Sequence, residues 1–376
     1  MTSRQHPIFA VIAGGGTSGH ILPALAIAEL LVEAGHSPDS IHFFGSDRGA
    51  EFTILPDSPY PHTFLRVDGF QRGLNPRSLA RNFRMVPMMW RAIRSARALL
   101  VELQPKVVIS VGGYASVPAT RAAHQLAIPV VTCSYDRRPG IATRLQSRYA
   151  AVSAVAYLPT KLHNAQLTGA PVRAAIRHLR RSASRNEARA RLNIAQDRRL
   201  IVLMGGSLGS AALNSVLRGV VELWVNRTDL SILHLSGVRY FNDPLPNLGA
   251  SAQHIEYVRL AYCENMVDVY AAADLIVSRA GASSVAEIAT VGVPSILVPW
   301  KQSAENHQQL NANWLVERGG AVTLSDPELS VDSLAKVIAD LIDDPRLLAQ
   351  LRDRAYELGA VHRDSSIARV ICEVAR

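Results

Sequence analysis

The chain of 376 residues is long enough for two domains, since an ordinary domain has about 150 residues. Apolar residues make up 48% and charged residues 19%, which is typical of a folded globular chain and excludes a disordered one. Its three cysteines, Cys133, Cys263 and Cys372, are too few and too scattered for a disulfide framework, a zinc cluster or a CxxC redox pair. No apolar run reaches the ~18 residues of a membrane span, and the first residues do not resemble a signal peptide. We therefore expect a cytoplasmic protein.

The formal net charge of +9 favours an anionic partner: a nucleic acid, a nucleotide or an acidic lipid surface. Eight arginines lie between Arg66 and Arg97 with a single acid, Asp68. The residues between them are mainly Leu, Met, Phe and Trp, which is typical of a helix on an anionic membrane and argues against nucleic acid. An amphipathic helix with a solvated basic face remains an equally good interpretation. The predicted membrane contacts share one side of a helix that contains the helix breaker Pro87, and they are Phe83, Val86, Met89 and Trp90.

Two halves of the chain repeat one pattern, an apolar strand that runs into a glycine-rich turn and then a helix. The predicted strand, turn and helix are 8–13, 14–19 and 22–33 in the first half, and 200–204, 205–209 and 211–223 in the second. Further apolar strands at 41–44, 107–111, 130–132, 232–235, 275–277 and 295–298 alternate with helices. Short, continuously apolar strands between helices indicate parallel sheets that are covered on both faces. The sequence therefore predicts an α/β protein with two doubly wound, Rossmann-like domains, a boundary within the arginine-rich stretch 171–193, and C-terminal helices that return to the first domain.

The first glycine turn matches neither GxGxxG nor a GK[ST] phosphate-binding loop, so a dinucleotide or a Walker-type nucleotide site is a weak interpretation. A strand, a tight turn and a helix N-terminus nevertheless suit an oxyanion. His20 follows directly, where a base with a pKa near neutrality would meet a substrate. A helix-capping or packed histidine is the alternative.

Two further turns have the same character. Gly112, Gly113 and Tyr114 follow the strand 107–111, and residues 278–284 follow the strand 275–277 and open a helix. Glu287, one turn inside that helix, suits a ribose diol, although an acid that only favours the helix dipole is an even alternative. The sequence contains no D-x-D triplet, so a diphosphate would depend on helix N-termini and a cation such as Arg173, with no metal and no cofactor.

The motifs together resemble those of the bacterial lipid II synthases, which are family 28 glycosyltransferases. The matching blocks run from residue 8 to the C-terminal helices. They include GGTSGHILPALAIA at 15–28, VGGYAS at 111–116, PVR at 171–173, GGSLG at 205–209, RAGASSVAE at 279–287 and the segment 292–312, and the block at 279–287 is the specific one, whereas a single glycine turn is not. Four positions depart from the family pattern: Ser18 replaces glycine, Leu208 replaces glutamine, Ala170 replaces asparagine, and CSYD at 133–136 stands in place of HEQN.

The resemblance implies a GT-B fold, two Rossmann-like domains that face a cleft. It implies an acceptor and membrane-associating domain at 1–172, a UDP-GlcNAc-binding domain at 173–357 and a helix at 358–376 that packs back on the first domain. The donor contacts that it implies are Thr17, Ser18, Gly19, Asp136, Arg173, Ser207, Cys263, Ala282, Ser283, Ser284, Glu287, Gln308 and Asn311. The acceptor pyrophosphate would lie at Gly15, Gly16, Gly112, Gly113 and Tyr114, with His20 as the catalytic base.

The function that this resemblance implies is inverting transfer of GlcNAc from UDP-GlcNAc to the MurNAc 4-hydroxyl of lipid I, at the cytoplasmic face of the cell membrane. A relative that acts on another acceptor, a UDP-GlcNAc epimerase and an inactive membrane-bound scaffold are the alternatives. An epimerase would not need the arginine-rich segment, and the intact His20 and Glu287 weigh against the scaffold.

Overall fold

The structure is a computed structural model that describes residues 7–16, 18–67, 76–250 and 253–376, without the side chains of residues 18 and 76–86. The chain divides into two compact units. Unit 1 comprises Met1–Ala174 and Asp364–Arg376, and unit 2 comprises Ala175–Arg363. The chain thus leaves the first unit at Ala174 and returns to it for its last residues.

In the described part of unit 1, seven strands form one parallel sheet in the order β3-β2-β1-β4-β5-β6-β7. They are β1 Ala10–Ala13, β2 Ile41–Ser46, β3 His62–Leu65, β4 Val107–Ser110, β5 Val130–Ser134, β6 Val152–Val155 and β7 Ala165–Leu167. The helices are α1 Ser18–Glu33, α2 Glu51–Ile54, α3 Pro76–Leu103, α4 Val117–Gln125 and α5 Ile141–Gln146. Apolar clusters lie on both faces of the sheet, which explains the continuously apolar central strands.

In the described part of unit 2, six parallel strands follow the order β10-β9-β8-β11-β12-β13. They are β8 Arg199–Met204, β9 Leu230–Leu235, β10 Glu256–Leu260, β11 Leu275–Ser278, β12 Ser295–Leu297 and β13 Val322–Thr323. The helices from the boundary onward are α6 Ala174–Arg177, α7 Arg181–Arg191, α8 Ala211–Leu223, α9 Met266–Ala272, α10 Ala282–Val291, α11 His307–Val316, α12 Val331–Ile342, α13 Pro345–Leu358 and α14 Ala360–Arg363. The last helix, α15 Ile367–Val374, belongs to unit 1, where Ile367 and Ile371 join the core cluster that contains α1.

The arginine-rich stretch before the second glycine turn is a packed helix rather than a linker. Arg189 on α7 is fully buried and donates to the backbone of Ala272 and to Asp274, with an Nη2–Oδ2 distance of 2.7 Å. Arg181 donates to the carbonyl oxygens of Tyr270, Ala273 and Gly292, and burial lowers its pKa to about 10. These arginines satisfy backbone carbonyls inside unit 2.

Helix α3, which carries the predicted membrane contacts, runs through Pro87 without a break. The side chains of Phe83 and Val86 lie outside the described residues. Met89 packs partly against the core cluster of unit 1, whereas Trp90 is 62% exposed and has the Arg94 guanidinium 5.2 Å from its ring centroid. Met89 thus faces the core in part and Trp90 faces outward, since consecutive helix residues point about 100° apart, and the membrane contacts stay a prediction. Among the described residues, no helix is long and apolar enough to cross a membrane.

Candidate active site

In each unit, the glycine turns lie at the switch point of the sheet, where the order of the strands reverses direction. In unit 1, β1 and β4 are neighbours, and they run into Gly14–Gly16 and Gly112–Gly113. In unit 2, β8 and β11 are neighbours, and they run into the turns 205–209 and 279–281. Open parallel sheets bind ligands outside the carboxyl ends of their strands at this switch point, so each unit carries a candidate site there.

A fully buried carboxylate, that of Glu51, holds the first turn of unit 1. It accepts hydrogen bonds from the Gly16 amide at 2.8 Å and from the amide and hydroxyl of Ser46 at 2.9 and 2.7 Å. A Cβ on Gly15 or Gly49 would collide with this carboxylate, which explains both glycines. The Gly16 amide, predicted to receive a pyrophosphate oxygen, thus already has an anionic acceptor. Glu51 could not be predicted from the sequence, because a single acidic residue at the start of a short helix does not indicate a partner 35 residues away.

His20 lies on α1 immediately after this turn, with its ring against the second turn. A Cβ on Gly113 would stand 3.6 Å from the ring and 2.8 Å from the carbonyl oxygen of Gly15, so the two turns and the ring are in contact. Burial lowers the pKa of His20 from its ordinary value, and the nearby charges of Asp136 and Glu51 oppose that shift. The ring is therefore neutral at physiological pH and has carboxylates nearby that stabilise the imidazolium, as a general base requires.

Tyr135, the residue after β5, contacts the backbone next to both glycine turns of unit 1. Its hydroxyl lies 2.9 Å from the carbonyl oxygen of Gly19 and 3.0 Å from that of Val111, and burial raises its pKa well above the usual range, so it stays a donor. Gly19 is the neighbour of His20, and Asp136 follows Tyr135 directly. In this chain, CSYD in place of HEQN thus supplies a hydroxyl that fixes the His20 turn and a carboxylate that acts on His20.

A buried polar network fixes the second turn. The Ser110 hydroxyl accepts from the Gly112 amide at 3.2 Å and donates to Gln146 Oε1 at 2.6 Å. Gln146 Nε2 donates to the Ser116 hydroxyl at 2.8 Å, which in turn donates to the Gly113 carbonyl oxygen at 2.9 Å. The Tyr114 ring lies over Gly16, where a Cβ would stand 3.1 Å from it.

Of the remaining predicted residues nearby, Thr17 and the Ser18 side chain lie outside the described residues, and Ser18 begins α1.

Arg173, a predicted diphosphate contact, lies at the last positions of unit 1 before the boundary. Its Nε donates to Glu29 Oε1 on α1 at 2.6 Å, and the other oxygen of Glu29 accepts from the Ala174 amide at 2.7 Å. The Arg173 side chain is 40% exposed. Glu29 thus orients the guanidinium and caps the first residue of α6.

In unit 2, Arg279 braces the two turns at the switch point. Its guanidinium donates to the Ser210 hydroxyl at 3.0 Å, to the Val298 carbonyl oxygen at 3.1 Å and to Asp326 Oδ1 at 2.6 Å. Ser210 also caps α8, so the end of the glycine turn that adjoins this helix is fixed. Ser207 and Leu208 lie exposed on that turn, with Leu208 68% accessible.

Helix α10 begins at Ala282 and leaves the amides of residues 282–284 at its N-terminus, where they suit a phosphate. Glu287 lies in the second turn of this helix, beyond the range in which the helix dipole favours an acid. Its Oε2 accepts a hydrogen bond of 2.6 Å from the hydroxyl of Tyr270, which is fully buried on α9. Burial, reinforced by Glu287, raises the pKa of Tyr270 well above its usual range. A neutral donor thus orients the carboxylate, which favours a specific role for Glu287 over a dipole effect.

The remaining predicted donor contacts differ in accessibility. Gln308 on α11 is half-buried and its carboxamide oxygen accepts from the Trp300 amide at 2.9 Å. Asn311 is fully buried and donates to the Ala280 carbonyl oxygen at 3.3 Å, so it braces the turn that precedes α10. Its contact with a sugar stays a prediction. Cys263 is half-buried before α9, with Sγ 3.5 Å from the Asn265 carbonyl oxygen.

Two Rossmann-type units, each with a glycine turn at its switch point, have the architecture of the GT-B glycosyltransferases, the class to which the family match below assigns the chain. The chain belongs to glycosyltransferase family 28, since it matches the N-terminal domain of that family over residues 10–155 and its C-terminal domain over residues 200–368.

Similar proteins of known name extend over almost the whole chain. One is a protein of Carboxydothermus hydrogenoformans that is 36% identical over 94% of each chain. Another is a protein of Desulforudis audaxviator that is 34% identical over 97% of this chain and 98% of its own. The two proteins have the same name. That name is UDP-N-acetylglucosamine–N-acetylmuramyl-(pentapeptide) pyrophosphoryl-undecaprenol N-acetylglucosamine transferase. The crystal structure of Acinetobacter baumannii MurG is similar with a TM-score of 0.73 and 25% identity, covering 98% of this chain and 100% of its own. A Neisseria meningitidis UDP-GlcNAc 2-epimerase shares the fold alone, with a TM-score of 0.65 and 13% identity.

Proposed function

We propose that this chain is an inverting glycosyltransferase that moves GlcNAc from UDP-GlcNAc to the 4-hydroxyl of MurNAc in lipid I and so forms lipid II. The observation that carries the proposal is the near full-length likeness to relatives named for this transfer, with identities of 34 and 36%. The glycine turns, His20 and the oriented Glu287 are the groups that this reaction uses.

The donor rests on unit 2 in this proposal. The amides of Ala282, Ser283 and Ser284 and the Ser207 hydroxyl receive the diphosphate. The cation that we propose for it, the Arg173 guanidinium, belongs to the last residues of unit 1. Glu287 accepts from the two ribose hydroxyls, the main chain at Cys263 reads uracil, and Gln308 contacts the GlcNAc hydroxyls through its amide NH₂, because its oxygen is already engaged.

The acceptor rests on unit 1, with its sugar at His20 and the turns that carry Gly15, Gly16, Gly112, Gly113 and Tyr114. His20 takes the proton from the MurNAc 4-hydroxyl while that oxygen forms a bond to the anomeric carbon of GlcNAc. The bond from this carbon to UDP breaks, and UDP leaves with the electron pair. One displacement on an α-linked donor gives a β-linkage. Asp136 and Glu51 stabilise the imidazolium that forms, and the N-terminus of α10 stabilises the charge on UDP.

The acceptor of the named relatives is linked to undecaprenol, so we propose reversible binding to the cytoplasmic face of an anionic membrane, without a nucleic-acid partner. The exposed Trp90 and the arginines between 66 and 97 support this proposal.

Incubation with UDP-GlcNAc and a short-chain lipid I analogue tests the function. The expected products are UDP and a lipid-linked disaccharide in equal amounts. Formation of UDP-N-acetylmannosamine, or of UDP and free N-acetylmannosamine with uptake of one water, would indicate an epimerase instead, and absence of any product would support the scaffold interpretation.

A further inference from the structure

A cavity of about 430 Å³ opens in unit 1 near the carboxyl ends of β2 and β3. Asp47, Arg48, Arg66, Val67 and Met88 line it, and small-molecule sites typically measure roughly 300–1,000 Å³. Two arginines face one acid in this lining, and the remaining wall is apolar. The lining suits an anionic group attached to an aliphatic chain.

The position of the cavity relates it to the sheet edge that carries His20. Arg48 follows the end of β2, the parallel neighbour of β1, and Arg66 follows the end of β3, the parallel neighbour of β2 on the far side from β1. Strands of a sheet are about 4.8 Å apart, so the cavity lies one to two strand spacings from the first glycine turn. A sugar ring and the diphosphate attached to it bridge such a distance.

The loop between β2 and α2 links the cavity to the glycine turn in a second way. The same loop provides Arg48 to the cavity and Glu51 to the turn, where the Gly16 amide already donates to the Glu51 carboxylate. A second anion at that amide would be repelled by a buried negative charge. The arginine-lined cavity is the better place for an anionic part of the acceptor.

One of the five residues that line the cavity lies on α3, the helix of the arginine-rich segment. Met88 on this helix lines the cavity, and Trp90 two residues on is exposed. An acceptor that reaches the protein from a membrane beside α3 would meet this cavity between the lipid and His20.

From these observations we infer that the cavity is the subsite for an anionic group of the lipid-linked acceptor, with Arg48 and Arg66 as its cations. The inference rests on the proposed function. This anionic group is either a phosphate of the acceptor's pyrophosphate or a carboxylate of its stem peptide.

Steady-state kinetics of Arg48→Gln and Arg66→Gln on a short-chain, water-dispersed lipid I analogue test this inference. Each variant should raise the acceptor KM about tenfold or more, since a charge-assisted hydrogen bond is lost, while kcat and the KM for UDP-GlcNAc stay unchanged. Arg66→Lys should restore most of the acceptor KM, which a loss through misfolding would not allow. Arg121→Gln, an exposed arginine of α4 in the same unit, is the matched control for net charge.

Two acceptor analogues distinguish the sources. An effect that persists on an acceptor without its peptide identifies the pyrophosphate, and an effect that disappears when the peptide carboxylates are amidated identifies the peptide. Variants that behave like Arg121→Gln on the full acceptor, or that raise the KM for UDP-GlcNAc instead, would overturn the inference. A wild-type enzyme that transfers GlcNAc to no lipid I analogue would refute the proposed function itself.

Discussion

The hydrogen bond from Tyr270 to Glu287 makes a specific prediction about recognition of the ribose. Tyr270→Phe keeps the ring that fills the core of unit 2 and removes only a hydroxyl, which lies 2.6 Å from Glu287 Oε2. A hydrogen bond to a charged group contributes about 1.5–3 kcal/mol, so the free energy of unfolding of the variant should be lower by roughly that amount. Without its orienting donor, the carboxylate should also bind the diol less well, and we expect UDP affinity to fall about 3- to 10-fold.

Glu287→Gln is the companion variant. It keeps the size of the side chain and removes the charge that strengthens both diol hydrogen bonds, an effect of about 1.5–3 kcal/mol or roughly 10- to 100-fold in the dissociation constant for UDP. Tyr257→Phe, on the edge strand β10, removes a hydroxyl that lies 2.8 Å from His234 Nδ1 on β9 and is the control for loss of a hydrogen-bonded tyrosine hydroxyl. It should leave UDP affinity unchanged.

Calorimetric titration with UDP and with 2′,3′-dideoxy-UDP distinguishes recognition from general destabilisation. Both variants should weaken binding of UDP but leave the already weak binding of the dideoxy analogue unchanged, because the analogue lacks the hydroxyls that Glu287 accepts from. Equal losses for both ligands would show that the pair supports only the fold. Unchanged UDP affinity in Glu287→Gln would remove Glu287 from the donor site.

The remaining predictions concern the base, the diphosphate, acid stability and the membrane. His20→Ala should lower kcat by about 10²–10⁴-fold while calorimetric UDP affinity stays the same, and a variant with most of its turnover would transfer the role of base elsewhere. Asp136→Asn removes a charge that raises the pKa of His20, so the acid limb of the kcat/KM profile should move to lower pH; an unmoved limb would contradict the contact. Activity should survive EDTA, since helix N-termini and cations of the chain hold the diphosphate in our proposal, and complete Mg²⁺-reversible loss would contradict it. Burial lowers the pKa of His362 to about 3, so as the pH falls the unfolded state takes up the proton before the folded state does. The free energy of unfolding should therefore be highest above about pH 6.5 and fall by roughly 1.4 kcal/mol per pH unit below it. His362→Phe should lose that slope in thermal melts, and an unchanged slope would assign it to other groups. Trp90→Ser should weaken sedimentation with anionic vesicles more than Trp300→Ser, a change of an exposed tryptophan in unit 2, and equal binding would place the membrane face elsewhere.

The central strands could be predicted from the sequence because they are covered on both faces and therefore continuously apolar. Strands β1, β4, β8 and β11 lie within about two residues of their expected bounds, and the predicted helix 211–223 has the same bounds in the structure. The edge strands were missed, and so was the buried strand β6, whose four residues VSAV include a serine. His62–Leu65, Ala165–Leu167 and Glu256–Leu260 are partly exposed and mix polar with apolar residues, so their pattern does not differ from that of a loop.

The glycine turns and His20 could be predicted because their signals are local: a strand, a turn and a helix start adjoin in the sequence. The groups that hold them could not. Glu51 bonds across 35 residues and Tyr135 across 116, and no periodicity connects residues so far apart. The arginine-rich stretch 171–193 was predicted only as the region of the domain boundary; its composition did not indicate that Arg189 is fully buried, with backbone carbonyls and Asp274 satisfying its guanidinium.

The stereochemistry of the transfer product tests the central claim most directly. The lipid-linked disaccharide made from UDP-GlcNAc and a short-chain lipid I analogue can be cleaved and its anomeric proton coupling read by NMR. One displacement at the anomeric carbon, with His20 as base, predicts a β-1,4 linkage and one UDP released for each disaccharide. An α-linkage, or UDP released without any disaccharide, would contradict the account.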